Sequence, residues 1–202
     1  MSDRTVIHVI DDDEAMRESL AFLLDVNGFE PRVYESGDAF LKGVVAGAAA
    51  CVISDIRMPG MNGVELVRKL KGGLSSCPVI LITGHGDVAL AVEAMKAGAV
   101  DFIEKPFDDA VLLGAIRAAL DAPPAIRDDS SAKQEAQSRL AELSPRERDV
   151  LRGLVAGKIN KVIAHELNIS PRTVEVYRAN LMAKTGARSL SELMRIALAA
   201  GL

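Results

Sequence analysis

The sequence predicts a two-part chain: an α/β module on a doubly wound, five-stranded parallel sheet, followed by a small all-α module of four helices. Three observations carry this. Short β-branched apolar runs alternate with helix-period stretches through residue 121. A polar stretch with two prolines and two serines then breaks the pattern at residues 122–138. The last 64 residues hold no strand-like run, and their helix starts are marked by Ser-Pro and Ser-x-x-Glu signals.

In the first module the strand runs fall near residues 5–10 (TVIHVI), 30–35, 51–54 (CVIS), 78–83 (PVILIT) and 99–103 (AVDFI). Helical patterns lie between them at about 14–27, 36–46, 63–71, 86–97 and 107–120, several ending near Gly28, Gly47, Gly72 and Gly98. Strict alternation of strand and helix calls for a parallel sheet covered on both faces. Such a sheet binds its ligand beyond the carboxyl ends of its strands, at the switch point flanked here by strands 1 and 3.

The stretch at 122–138 reads as a linker with helical potential in its second half. Ser144-Pro145-Arg146-Glu147 then supplies an N-cap, a proline at the first helical position and a glutamate at N3. Ser170-Pro171 opens another helix that Gly186 can end, and Ser189-Leu190-Ser191-Glu192 gives a second capping box. The four helices are expected at about 144–156, 159–167, 170–185 and 189–200. The pair at 159–185, joined by Asn168-Ile169-Ser170, has the form of a helix-turn-helix.

Composition excludes several classes. At 49% hydrophobic and 26% charged the chain is an ordinary globular one. No apolar run approaches the roughly 20 residues of a membrane span, and the N-terminus meets acids too soon for a signal peptide. Cys51 and Cys77 sit in apolar surroundings without metal-ligand spacing, so buried free thiols in the cytoplasm are expected. The net charge is −4 but unevenly spread: residues 1–121 carry −8 and residues 139–202 carry +5. Only the C-terminal module is suited to a polyanion.

Reading the sheet at its strand ends collects Asp11 and Asp12 after strand 1, Asp55 after strand 3, Thr83 at the end of strand 4 and Lys105-Pro106 after strand 5. Singly, these read as cap acids, a loop turn, a strand-end filler and a solvated charge. Together they form an acidic site that calls for a cation, and Mg²⁺ (or Mn²⁺) suits one or two carboxylates, waters and a phosphoryl oxygen. Asp55 can act as a carboxylate nucleophile toward phosphorus, with Lys105 and the Thr83 hydroxyl on other phosphoryl oxygens.

IDDDEAMRESLAFLL, SDIRMPGMNGVEL, PVILITGHGDV, AVEAMKAGAVDFIEKPF and SPRERDVL…ISPRTVEVYRANLMAKTGARSLSEL resemble the FixJ-type response regulators, which join a receiver domain to a LuxR-type helix-turn-helix. The resemblance runs from about residue 5 to residue 200 and is weakest at 28–50 and in the linker. It implies a flavodoxin-like receiver of strand order 2-1-3-4-5 at 1–121, a linker at 122–138 and a DNA-binding domain at 139–202. It implies Asp55 as phosphoacceptor, Asp12 as a direct metal ligand, Asp11 as a ligand through water, and the Arg57 carbonyl completing the set. Thr83 becomes the switch hydroxyl, Phe102 the switch aromatic and Lys105 the phosphate-pairing lysine. Asp13 is an additional acid, read as a helix-start residue.

The partners implied are a sensor histidine kinase, double-stranded promoter DNA, RNA polymerase and, once phosphorylated, a second copy of the chain. Activation rather than repression, and oxygen- or nitrogen-fixation-related control, belong to the same resemblance. On the second helix of the pair, Arg172, Glu175, Val176 and Ala179 share one face, while Val174, Tyr177 and Leu181 share a more apolar one. The former is the expected base-reading face, Thr173 belongs to the family signature there, and Arg172, Arg178 and Lys184 are available to phosphates. Two rivals remain. A phosphohydrolase of the haloacid-dehalogenase type needs an acid two residues after its nucleophile, where this chain has Arg57, so only slow self-dephosphorylation is expected. A ligand-sensing LuxR-type regulator would need a pocket that the acidic strand ends do not suggest.

Overall fold

The computed structural model describes residues 4–43, 50–71, 77–84, 88–121 and 129–202. The chain forms two compact units, Met1–His85 with Ala97–Ala122, and Gly86–Lys96 with Pro123–Leu202. Five strands are present: β1 (Val6–Ile10), β2 (Glu30–Tyr34), β3 (Cys51–Asp55), β4 (Val79–Thr83) and β5 (Asp101–Glu104). All pairs are parallel, and the order is β2-β1-β3-β4-β5, as expected. The helices α1 (Glu14–Val26), α2 (Gly37–Gly43), α3 (Gly63–Lys69), α4 (Val88–Ala97) and α5 (Asp109–Asp121) alternate with the strands. The expected helix stops at Gly47 and Gly72, and the first part of the linker, lie outside the described residues.

The strands differ in burial according to their place. All five residues of β3 and of β4 are buried, whereas β2, at the edge, has none fully buried. Alternation along β1 sends Ile7 and Val9 into a core with Cys51, Ile53, Ile80 and Ile82, closed by Leu20 and Leu24 of α1 and Leu112 and Ile116 of α5. His8 faces the other side and packs between Tyr34 and Phe40, its Nδ1 3.1 Å from the Tyr34 hydroxyl. Burial, with Arg32 nearby, lowers its pKa. Both cysteines are buried free thiols, and burial pushes Cys51 up to about 12.

In the second unit α7 (Pro145–Val155), α8 (Asn160–Leu167), α9 (Pro171–Thr185) and α10 (Leu190–Ala199) lie where four helices were expected. The Ser144–Glu147 capping box forms as read, and Gly186 ends α9 at φ 69°. The Ser189 box closes differently. Ser189 accepts from the Glu192 N–H, but Glu192 Oε2 reaches the N–H of Arg188, one residue earlier than the box requires. The helical second half expected of the linker forms as a fifth helix, α6 (Asp129–Ala141), which packs on α9 and α10 through the buried Ala136 and Leu140. Its apolar stripe is that one i, i+4 pair in a polar sequence, too little for periodicity to show.

The start of α3 fixes the position of β3. A Cβ on Gly63 would stand 2.6 Å from the carbonyl oxygen of Asp55 and 3.0 Å from Leu81. Gly63→Ala is therefore expected to destabilise the first unit by about 1–3 kcal/mol through overpacking, read as a lower urea midpoint.

Candidate phosphoacceptor site and nucleic-acid interface

The carboxyl ends of β1, β3, β4 and β5 bring Asp11, Asp55, Thr83 and Lys105 to one end of the sheet, because all strands run the same way. Asp11 and Asp55 are buried, at 2% and 8% exposure. The Lys105 ammonium lies between them, 2.7 Å from Asp55 Oδ1 and 3.4 Å from Asp11 Oδ2. Asp55 Oδ2 accepts from the N–H of Arg57 at 2.6 Å, and Asp11 Oδ1 accepts from the N–H of Asp13 at 2.9 Å. Every oxygen of the two buried carboxylates thus faces a donor, as burial of charge demands. The Lys105-Pro106 peptide is cis.

Burial pushes the Asp11 carboxyl above the usual range. The Asp13 N–H and the Lys105 charge oppose this, and the charge of Asp55 adds to it. Burial also works against the charge of Lys105, but its hydrogen bond to Asp55 and the two nearby carboxylates outweigh that and raise its pKa.

The other expected residues are placed less uniformly. Asp12 is exposed, so the buried pair is Asp11 and Asp55 rather than a triad. Among the described residues no group of three or more His, Cys, Asp or Glu is placed to hold a metal ion. The Asp11 and Asp55 carboxylates nonetheless offer hard oxygens of the kind Mg²⁺ accepts, since it keeps several waters. Thr83 is buried, its hydroxyl donating to the Gly84 carbonyl at 3.2 Å. Phe102 is buried on β5. Asp13 caps α1 by accepting from the Ala15 N–H. Arg17, which the sequence did not single out, donates to the Asp11 carbonyl at 2.7 Å and braces the end of β1. No motif marks it, because its role depends on how α1 turns back past that end.

In the second unit α8 and α9 form the expected pair. Asn168 takes the left-handed conformation, φ 54°, that turns the chain sharply between them. Val174 and Leu181 are buried, so the apolar face of α9 points inward. Arg172, Glu175, Val176 and Ala179 are exposed on the outer side, and Thr173 and Arg178 are half-buried. Arg178 donates to Asn160 Oδ1 at 3.1 Å. Lys184 is more committed than the sequence implied: its ammonium donates to the buried Glu147 at 2.8 Å, so a phosphate contact would compete with that pair.

Residues 7–117 match the response regulator receiver domain, and residues 141–197 match the luxR family of bacterial regulatory proteins. The chain is 53% identical to the transcriptional regulatory protein FixJ of Bradyrhizobium diazoefficiens, covering 100% of this chain and 98% of that one. The chain belongs to the FixJ-type response regulators. Likeness extends to the response regulator protein TodT of Pseudomonas putida, at 44% identity over 97% of this chain and 87% of that one. Among solved structures, full-length FixJ from B. japonicum aligns at 52% identity and TM-score 0.51, covering 98% of this chain and 97% of that chain. The FixJ-N crystal structure aligns at 49% identity and TM-score 0.56, covering 62% of this chain and 100% of that chain. This response regulator therefore pairs a receiver with a LuxR-type DNA-binding domain, and a histidine kinase and DNA are its partners in kind.

The Glu147–Lys184 pair also sets a pH dependence. The Lys184 hydrogen bond and the Ser144 N–H hold the Glu147 carboxyl below the usual range. The stability it contributes is complete above the unfolded value of about 4.3 and is lost as pH falls through the lower folded value. Glu147→Gln is expected to cost about 1–2 kcal/mol at pH 7, discounted for the exposed lysine, and to flatten the fall in thermal stability at acidic pH. Thermal unfolding of wild type and variant between pH 3 and 7, each value taken about one unit apart, measures both.

Proposed function

We propose that Asp55 carries a phosphoryl group received from the kinase, and that the phosphorylated chain binds promoter DNA as a dimer. The observation that carries this reading is the Lys105 ammonium held between the Asp55 and Asp11 carboxylates at the strand ends. An oxygen of Asp55 attacks phosphorus as the bond from phosphorus to the kinase imidazole breaks, and an acyl phosphate results. Lys105 then passes from the free carboxylate to a phosphoryl oxygen, and the Thr83 hydroxyl takes another. Asp12, Asp55 and the Arg57 carbonyl, with Asp11 through water, would hold Mg²⁺ or Mn²⁺, which neutralises charge on the phosphoryl oxygens.

Thr83 and Phe102 carry the change away from the phosphoryl group, and two receivers then pair. Arg57, where a phosphohydrolase would place its acid, leaves the acyl phosphate to slow self-hydrolysis. The working division is a receiver at 1–121, a joint at 122–138 and a DNA-binding domain at 139–202. The output is activation through RNA polymerase, in the cytoplasm, of genes tied to oxygen or nitrogen fixation, by likeness to FixJ. Among the described residues no helix is long and apolar enough to cross a membrane.

Solution molar mass with Mg²⁺, before and after acetyl phosphate, tests the switch. Wild type is expected to double its mass and Asp55→Asn to stay unchanged; an unchanged wild type with phosphate incorporated sinks dimerisation as the output. For the DNA end, Arg172→Ala is expected to weaken binding to all sequences and to lower the slope of log K against log salt by about 1, measured by titration across a salt series.

A further inference from the structure

The recognition helix carries a charge of the wrong sign for its task. Glu175 is the one acid of α9, among Arg172, Arg178 and Lys184. It is exposed on the outer side with Arg172 and Ala179. It enters no hydrogen bond or ion pair among the described residues. Several other acids of this unit are engaged: Glu166 with Lys158 at 2.7 Å, Glu147 with Lys184 at 2.8 Å and Asp149 with Arg152 at 3.2 Å. The exposed Glu142, off this helix, is unpaired like Glu175 among the described residues. A benefit from the helix dipole does not explain it either, because α9 has no acid in its first turn, where that effect is concentrated. Facing a polyanion, an unpaired carboxylate is repelled at every sequence unless a base repays it.

Base edges in the major groove decide which base can. A carboxylate only accepts hydrogen bonds. Guanine offers it two acceptors, thymine an acceptor and a methyl, and adenine a donor beside an acceptor. Cytosine alone offers its N4 amino donor with no acceptor of its own. Resting on the reading of α9 as the base-reading helix, we propose that Glu175 is a specificity residue that selects a cytosine in each half-site by accepting from its N4 amine.

The test selects binding sites from a randomised duplex pool with the full chain treated with acetyl phosphate and Mg²⁺, then compares all four bases at the position concerned. Wild type is expected to select cytosine there, other bases weakening binding by about tenfold or more. Glu175→Gln should move the preference toward adenine, which an amide can bind bidentately, and Glu175→Ala should abolish it. Glu142→Gln, an exposed acid off this helix, should leave the selected sequence unchanged. Glu175 variants that bind every sequence more tightly but select the same motif would overturn the proposal, leaving Glu175 a surface charge. Enrichment of no sequence by the wild type would instead overturn the DNA-binding reading, and this inference with it.

Discussion

The ammonium of Lys105 between Asp55 and Asp11 is the interaction on which the receiver end depends. Two buried carboxylates side by side repel each other and lose their hydration, so their ionised forms persist only beside a cation. A lysine suits this place better than an arginine would. Its compact charge on a flexible stem reaches from beyond β5 to the ends of β3 and β1, and can move when a more strongly charged group arrives. The same contact therefore settles the charge of both acids at once.

Backbone geometry makes that contact possible. Donors from Arg57 and Asp13 hold the far oxygens of the two acids, and Arg17 ties down the carbonyl of Asp11. Gly63 lets the start of α3 approach the carbonyl of Asp55 more closely than any side chain would allow. The site is assembled at strand ends, where one residue more or less would turn a side chain to the other face. Asp11 and Asp12 show the consequence: neighbours in sequence, one is buried in the site and the other faces solvent.

A similar economy governs the second unit. Glu147 uses its carboxylate twice, on the Ser144 N–H that starts α7 and on Lys184 of α9. A buried acid thereby pins the two helices and orients α9, while the outer side of α9 keeps Arg172, Glu175, Val176 and Ala179 exposed. Packing and solvent exposure occupy opposite faces of one helix. The faces follow from the buried Val174 and Leu181, seven residues apart and so on one side.

The sequence by itself determined the strand and helix order, the parallel sheet, the cap at Ser144 and the stop at Gly186. Each of these is a local signal: hydrophobic period, a cap side chain, a residue free to take positive φ. It also determined which residues reach the strand ends, since parallel strands put all those ends together. What it could not determine is pairing among groups far apart in the chain. Arg17 on Asp11, Lys184 on Glu147 and the docking of α6 on α9 and α10 leave no periodic trace. Those outcomes depend on which long side chains meet after the chain has closed on itself. Only the tertiary structure decides that, because a few ångströms set whether a charge finds a partner or faces water.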